Sequence, residues 1–300
     1  MRTLIVKLNA TGDVVRTTTL LHRLRGDVTW ITAKMNVELL ENGPRKLRCL
    51  SWEDRDKARD CSYDLVINLE DEAETASFVG ELRHSRQFGA YLDADGSLAY
   101  TDDSRAWFDL SLISRYGRVR ADELKLQNRR TYQDLVFEGL GWRFEGEPYL
   151  VAPSTPTGLE GDVALAPAAG PVWPNKGWAY YEDLKRRLEA DGLCVNVLPR
   201  RPTIREHMWD VQAHRCLVGG DSLPMHLALA TGTRCVILFN CTSPWEIYHY
   251  GVQTQVVSPL LERYFYKRGN DTAARGAISL DDVYRAVVTQ LSLTSAMPGL

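Results

Sequence analysis

The chain has 300 residues, 44% of them apolar and 25% charged, with a formal net charge of −3 and a pI near 6.1. That length suits two ordinary domains with their own cores, and the charge excludes a strong global field toward nucleic acid or an anionic membrane, so no nucleic-acid partner is expected. No run approaches the roughly 18 apolar residues a membrane helix needs, and Met1-Arg2-Thr3-Leu4-Ile5-Val6 reads as a strand and not a leader, so a cytoplasmic protein is expected.

In chain order, Thr3–Leu8, Val28–Thr32 and Asp64–Leu69 read as short apolar strands, separated by helical stretches at Val14–Arg25 and Lys34–Glu41. This alternation implies a parallel sheet with crossover helices. Gln87–Leu92 and Leu98–Thr101 flank Asp93-Ala94-Asp95-Gly96, whose Asp-Gly pair favours a hairpin, and a long helix is expected over Asp122–Leu140. Glu147–Gly161, with Pro148, Pro153 and Pro156, is the candidate linker, dividing domains at 1–150 and 151–300.

The alternation then restarts, with strands near Val163–Ala166, Cys194–Leu198, Cys216–Val218, Arg234–Phe239 and Thr254–Val257. Helices are expected near Ala179–Asp191, Ile204–His214 and Pro224–Ala230, and a last one near Leu280–Leu291 is placed to pack back on the first domain. The six cysteines, Cys49, Cys61, Cys194, Cys216, Cys235 and Cys241, show no CxxC spacing and read as buried, reduced thiols.

In open α/β sheets ligands bind beyond the carboxyl ends of strands, so the loops after strands carry the argument. After the first strand, Asn9-Ala10-Thr11-Gly12-Asp13 leads into a helix. Gly12 would let the backbone turn, and Asp13 is either a helix cap or, kept ionised by the helix dipole, a general base toward a hydroxyl. In the second half, Gly219-Gly220-Asp221-Ser222-Leu223-Pro224-Met225-His226 joins a strand to a helix. Ser222 suits the N-cap and Pro224 the first turn, leaving backbone N–H groups as a phosphate site; the alternative is a purely structural junction. Lys176, in Trp173-Pro174-Asn175-Lys176-Gly177-Trp178, would neutralise a leaving diphosphate or simply be solvated, and the tryptophans serve equally as packing residues. Asn240-Cys241-Thr242-Ser243-Pro244 follows a further strand and its hydroxyls could reach the same ligand.

Together with Ile5-Val6-Lys7-Leu8 and Gly12-Asp13-Val14-Val15, these motifs occur in an order that resembles glycosyltransferase family 9, the heptosyltransferases of lipopolysaccharide core assembly, from Leu4 to about Gly251. The resemblance implies an α/β fold of GT-B architecture, two Rossmann-like domains facing across a cleft, the first handling acceptor and the second a nucleotide-sugar donor. It further implies inverting, metal-independent transfer with no cofactor, most plausibly of heptose from an ADP-linked donor to a saccharide or glycolipid acceptor. Carried over by motif, Asp13 and Lys176 are catalytic. Gly220, Asp221, Ser222, Leu223, Met225, His226, Thr242 and Ser243 line the donor site, and Asn9, Thr11 and Gly12 the acceptor side.

Three departures fall at the donor end: Leu223 where glycine is usual, Asn240-Cys241 where Gly-Pro is common, and Pro199-Arg200-Arg201-Pro202, which offers no acidic residue for a ribose. They keep open a relative acting on a natural product or protein from another nucleotide sugar, an epimerase on the same architecture, and a non-catalytic nucleotide-binding member. Asp93-Ala94-Asp95 spells DxD but sits in a turn, and His207 and His214, seven residues apart on an expected helix, lie roughly 10 Å apart along its axis, so no metal site is expected. The basic run Arg115, Arg118, Arg120, Lys125, Arg129 and Arg130 is a solvated helix face or a peripheral contact with phosphorylated acceptor or headgroups. Glu70-Asp71-Glu72-Ala73-Glu74 reads as a solvated helix start.

Overall fold

β1 (Arg2–Val6) is the centre of the first sheet, because Leu4, Ile5 and Val6 are fully buried and it is hydrogen-bonded on both sides. The remaining strands are β2 (Asp27–Thr32), β3 (Arg48–Ser51), β4 (Ser62–Asn68), β5 (Arg83–Leu92) and β6 (Leu98–Tyr100), in the order β3-β2-β1-β4-β5-β6. All pairs are parallel except the β5–β6 hairpin. The computed structural model describes residues 1–111 and 115–295, and the chain divides into two units, Met1–Pro153 and Ser154–Leu300.

Helices of the first unit are α1 (Thr11–Thr17), α2 (Val37–Leu40), α3 (Ala73–Gly80), α4 (Arg105–Ser111), α5 (Gly117–Gln127) and α6 (Tyr132–Gly139). The helix expected over Val14–Arg25 begins earlier and tightens into a 3-10 turn over Thr18–His22. The hydroxyls of Thr17, Thr18 and Thr19 donate back to the carbonyls of Asp13, Val15 and Arg16, the competition by which threonine distorts helices. The single helix expected over Asp122–Leu140 is two helices: Thr131 and Asp134 form a capping box that starts α6 afresh. Asp93 behaves as a turn residue, its carboxylate accepting from the amides of Asp95 and Ser97, both at 2.9 Å.

The second sheet is wholly parallel: β7 (Gly161–Ala166), β8 (Val195–Val197), β9 (His214–Gly220), β10 (Arg234–Phe239) and β11 (Gln253–Val257), in the order β11-β10-β9-β7-β8. Its helices are α7 (Tyr181–Ala190), α8 (Ile204–Gln212), α9 (Leu223–Thr231), α10 (Leu261–Tyr264), α11 (Thr272–Gly276) and α12 (Leu280–Ser295). Leu165, Val218, Val236 and Leu238 from the strands meet Trp178, Leu184, Val283 and Val287 in one core. The last helix, α12, lies on β9, β10, β11 and α7 of its own unit. Among the described residues no helix is long and apolar enough to cross a membrane. The cysteines differ in burial: Cys216, Cys235 and Cys241 are buried, Cys49 and Cys61 half-buried, and Cys194 is exposed because it precedes the short edge strand β8.

His214 is held as a neutral imidazole. Asn196, its amide oriented by the Glu160 carbonyl, donates to Nε2 at 3.0 Å, and Nδ1–H donates to the Asp210 carbonyl at 2.6 Å. Burial lowers its basicity and outweighs the opposing pull of Asp210, and burial likewise lowers His207. A histidine depressed in the folded state is protonated first in the unfolded one, so stability is full above the unfolded value near 6.5 and falls as pH drops below it. We expect the melting temperature to decline between pH 7.5 and pH 5.5 and His214→Gln to flatten that slope; an unchanged slope would exclude His214 as its source.

Candidate active site

The order of each sheet sets where a ligand fits. Neighbouring strands β1 and β4, and β7 and β9, are those at which connections leave in opposite directions, and the loops beyond their carboxyl ends form the crevice of each unit.

In the first unit that loop carries Asn9, Thr11, Gly12 and Asp13. The left-handed residue of the turn is Ala10, at φ +56°, and Gly12 lies inside α1, so the tight turn assigned to Gly12 is made two residues earlier. Ala10 also holds the N-cap position, which places Asp13 within the first helical turn and not at the cap. The Asp13 carboxylate is 2.9 Å from Arg16, whose buried guanidinium stacks 3.8 Å over the ring of Tyr132. Tyr132 is buried and its hydroxyl meets Thr17 at 2.7 Å; burial and then the nearby Asp13 carboxylate push that phenol up. Asn9 is exposed, whereas the Thr11 hydroxyl is spent on Asn36 at 2.8 Å, and Asn36 in turn donates to the Leu8 carbonyl.

Glu70 corrects the sequence reading. It is no solvated helix start but a buried carboxylate, 4% exposed, whose Oε1 accepts from Lys7 Nζ at 2.7 Å and from the amides of Leu8 at 2.7 Å and Asn9 at 3.2 Å. It ties the end of β4 to the loop after β1. Arg16, Tyr132, Lys7 and Glu70 were all missed as site residues; the one available signal was a lysine and a glutamate each ending an otherwise apolar strand run.

In the second unit, Lys176 and Asp221 come together across the β7/β9 switch point. Lys176 Nζ donates to the Asp221 carbonyl at 2.7 Å and to its carboxylate at 3.1 Å. Burial pushes the Asp221 carboxyl up, but Lys176, His226 and the Thr242 hydroxyl outweigh it and hold the group below its ordinary value. A pocket of about 180 Å³ is lined here by Ala166–Gly170, Trp173, Lys176, Tyr181, Gly220, Asp221 and Ser222. Gly220 is needed for closeness: a Cβ there would sit 3.1 Å from the Lys176 carbonyl. Asn175, 1% exposed, fixes the lysine turn by donating to the Lys267 carbonyl at 3.0 Å and accepting from the Asp271 amide at 2.8 Å.

The other donor-side residues separate. Ser222 holds the N-cap position of α9, but its hydroxyl turns back to the Gly220 carbonyl at 3.3 Å. Pro224 has no N–H and the Met225 amide is given to the Ser222 carbonyl, which leaves the amides of Ser222 and Leu223 as the donors of that turn. Met225 is fully buried and packs in the core. His226, Thr242 and Ser243 are buried and do not line the pocket; Thr242 and His226 act on it through the Asp221 carboxylate. The Pro199–Pro202 turn contains no carboxylate, and its Arg201 reaches back to the fully buried Asp210 at 2.6 Å, where Thr157 also bonds.

The basic run is mostly engaged within its own unit: Arg115 with Asp109, Arg120 with Glu123, Arg130 with Glu138 and Arg129 with backbone carbonyls, while Lys125 is buried. Among the described residues no group of three or more His, Cys, Asp or Glu side chains is arranged to hold a metal ion.

Comparison with known proteins gives residues 169–272 as a match to the model of glycosyltransferase family 9 (heptosyltransferase). No curated protein sequence matches the chain. Among solved structures it resembles a family 9 glycosyl transferase from Veillonella parvula DSM 2008 (TM-score 0.70, 16% identity, 97% of each chain covered). It also resembles E. coli ADP-heptose lipopolysaccharide heptosyltransferase II (TM-score 0.65, 15% identity, 99% of this chain and 100% of that one). A third similar structure is the E. coli heptosyltransferase WaaC with ADP (TM-score 0.64, 15% identity, 97% and 100% covered). At these identities the likeness is one of fold: two α/β domains, each on a mainly parallel sheet.

Proposed function

We propose, from the match of residues 169–272 to the model of glycosyltransferase family 9, that the protein transfers a heptose from ADP-heptose to a saccharide or glycolipid acceptor, with inversion and without a metal. The observation that carries this reading is the Lys176–Asp221 pair at the mouth of the pocket between β7 and β9, inside the matched segment. Relatives of the same fold are solved with ADP and with ADP-2-deoxy-2-fluoro heptose.

The chemistry needs a single in-line displacement at the anomeric carbon. Asp13 takes the proton of the acceptor hydroxyl as that oxygen attacks, and the C–O bond to the diphosphate breaks. The transition state is oxocarbenium-like, as in glycoside hydrolysis. Lys176 and the amides of Ser222 and Leu223 receive the charge that develops on the leaving oxygen. Arg16 holds the Asp13 carboxylate in place, and Glu70 fixes the backbone that leads to it. Asn9, Thr11 and Gly12 form the acceptor-side turn.

The test is thermal stability with ADP, UDP, GDP and TDP, each with and without a sugar, for the wild type and Lys176→Ala. A ligand at about a hundred times its dissociation constant adds ~2.7 kcal/mol, a readable melting shift. We expect ADP ligands to give the largest shift and Lys176→Ala to lose most of it. A second reading, a donor with a different nucleoside, is favoured by the Pro199–Pro202 turn, which has no acidic residue for a ribose and whose Arg201 takes up the Asp210 carboxylate. A larger shift with another nucleotide would select it; no shift with any nucleotide would leave a member that binds no donor. Product mass with lipid and natural-product acceptors then assigns the acceptor, and isomerisation of donor without acceptor would identify an epimerase.

A further inference from the structure

Lys176 does not bring an undivided positive charge to the pocket. Its ammonium is shared between the carbonyl and the carboxylate of Asp221, at 2.7 and 3.1 Å, whereas a diphosphate carries more than one negative charge. The amides of Ser222 and Leu223 add partial charge, and a second cation beside them would complete the match.

Trp173, which lines the pocket, carries one. The Arg268 guanidinium carbon is 5.0 Å from its ring centroid and Lys176 Nζ is 5.8 Å from the same centroid, both within the roughly 6 Å reach of a cation–π contact. The segment bearing Arg268 is built onto this turn, since Asn175 bonds both the Lys267 carbonyl and the Asp271 amide. Just before it, Tyr266 adopts φ +50°, a costly conformation for an aromatic residue, while its ring stands edge-on to Trp173 at 5.6 Å and its amide donates to the Cys241 carbonyl at 2.7 Å. Arg268 itself is exposed and forms no ion pair with a described carboxylate.

We propose that Arg268 is the second cation for the donor diphosphate and the residue that makes the site prefer a diphosphate to a monophosphate. When a nucleotide enters, the guanidinium leaves the Trp173 ring and takes phosphate oxygens, for which its planar fork is the better match. The inference rests on the donor-site reading above.

Titration calorimetry of the whole chain with ADP and AMP, and in parallel with UDP and UMP, tests it whichever base is native. Arg268→Gln is expected to weaken the diphosphate about tenfold and the monophosphate by less than about twofold, narrowing the preference, with Arg268→Lys restoring part of the loss. Equal weakening of both, or of neither, overturns the role of Arg268. If Lys176→Ala also leaves nucleotide binding unchanged, or the wild type binds none, the donor-site reading itself falls and the inference with it. Loss with Lys176→Ala but indifference to Arg268→Gln sinks the inference alone. Because Arg268 is exposed, its substitution leaves the fold intact, which an unchanged melting temperature without ligand verifies.

Discussion

Asp13→Asn is expected to keep the nucleotide-dependent melting shift while turnover falls at least ~100-fold, the ordinary cost of losing a general base. The two effects separate because Asp13 lies in the first unit and the pocket proposed for the donor is lined wholly by the second. The substitution is nearly isosteric, and the amide oxygen still accepts from Arg16, so the fold loses only the stronger part of a charged hydrogen bond, ~1 kcal/mol. The comparison needs ADP-heptose, or whichever nucleotide sugar the melting panel selects, and product detected by mass. Turnover equal to wild type would remove Asp13 from the mechanism, and Arg16 and Tyr132 would then be a structural cluster and nothing more.

The largest loss of stability is expected from Glu70→Ala. It strands the Lys7 ammonium, 2% exposed, without its carboxylate, and takes the shared acceptor from the Leu8 and Asn9 amides. Removing one member of a buried pair typically costs ~3–5 kcal/mol because the other charge remains. Replacing both, as Lys7→Met with Glu70→Leu, is expected to recover much of this while leaving the two amides unsatisfied. Urea unfolding of the wild type and both variants, followed by tryptophan fluorescence, measures it. A Glu70→Ala loss below about 1 kcal/mol would mean that Lys7 finds water or another acceptor, contrary to its burial.

The β-α alternation was legible because burial imposes it on the sequence: strands such as Arg234–Phe239 are continuous apolar runs with no competing reading. β3 was not found, since Arg48–Ser51 is a four-residue edge strand with one buried side chain and no period to detect. The break at Asn128–Thr131 was written in Thr131-Tyr132-Gln133-Asp134, a capping signal hidden inside an otherwise helical stretch. Asp13, Lys176 and Asp221 could be singled out because each follows a strand in a distinctive local motif. The partners that hold them could not: Glu70 lies 63 residues from Lys7, and Tyr132 is 115 residues from Thr17. Only the strand order brings those pairs together, and no local pattern encodes it. Burial was legible for side chains on strands and misleading for Cys194, which stands just outside one.

The side chain of Asn175 couples two segments beside the Lys176 pocket. Its two bonds reach segments 92 and 96 residues away in the chain, so the Trp173–Lys176 turn and the 267–271 loop form one cooperative opening unit. Neither segment separates from the other unless the Lys267 carbonyl and the Asp271 amide surrender their bonds to Asn175. If the proposed donor site is the right one, a residue as distant as Asp271 would bear on how long a nucleotide stays there.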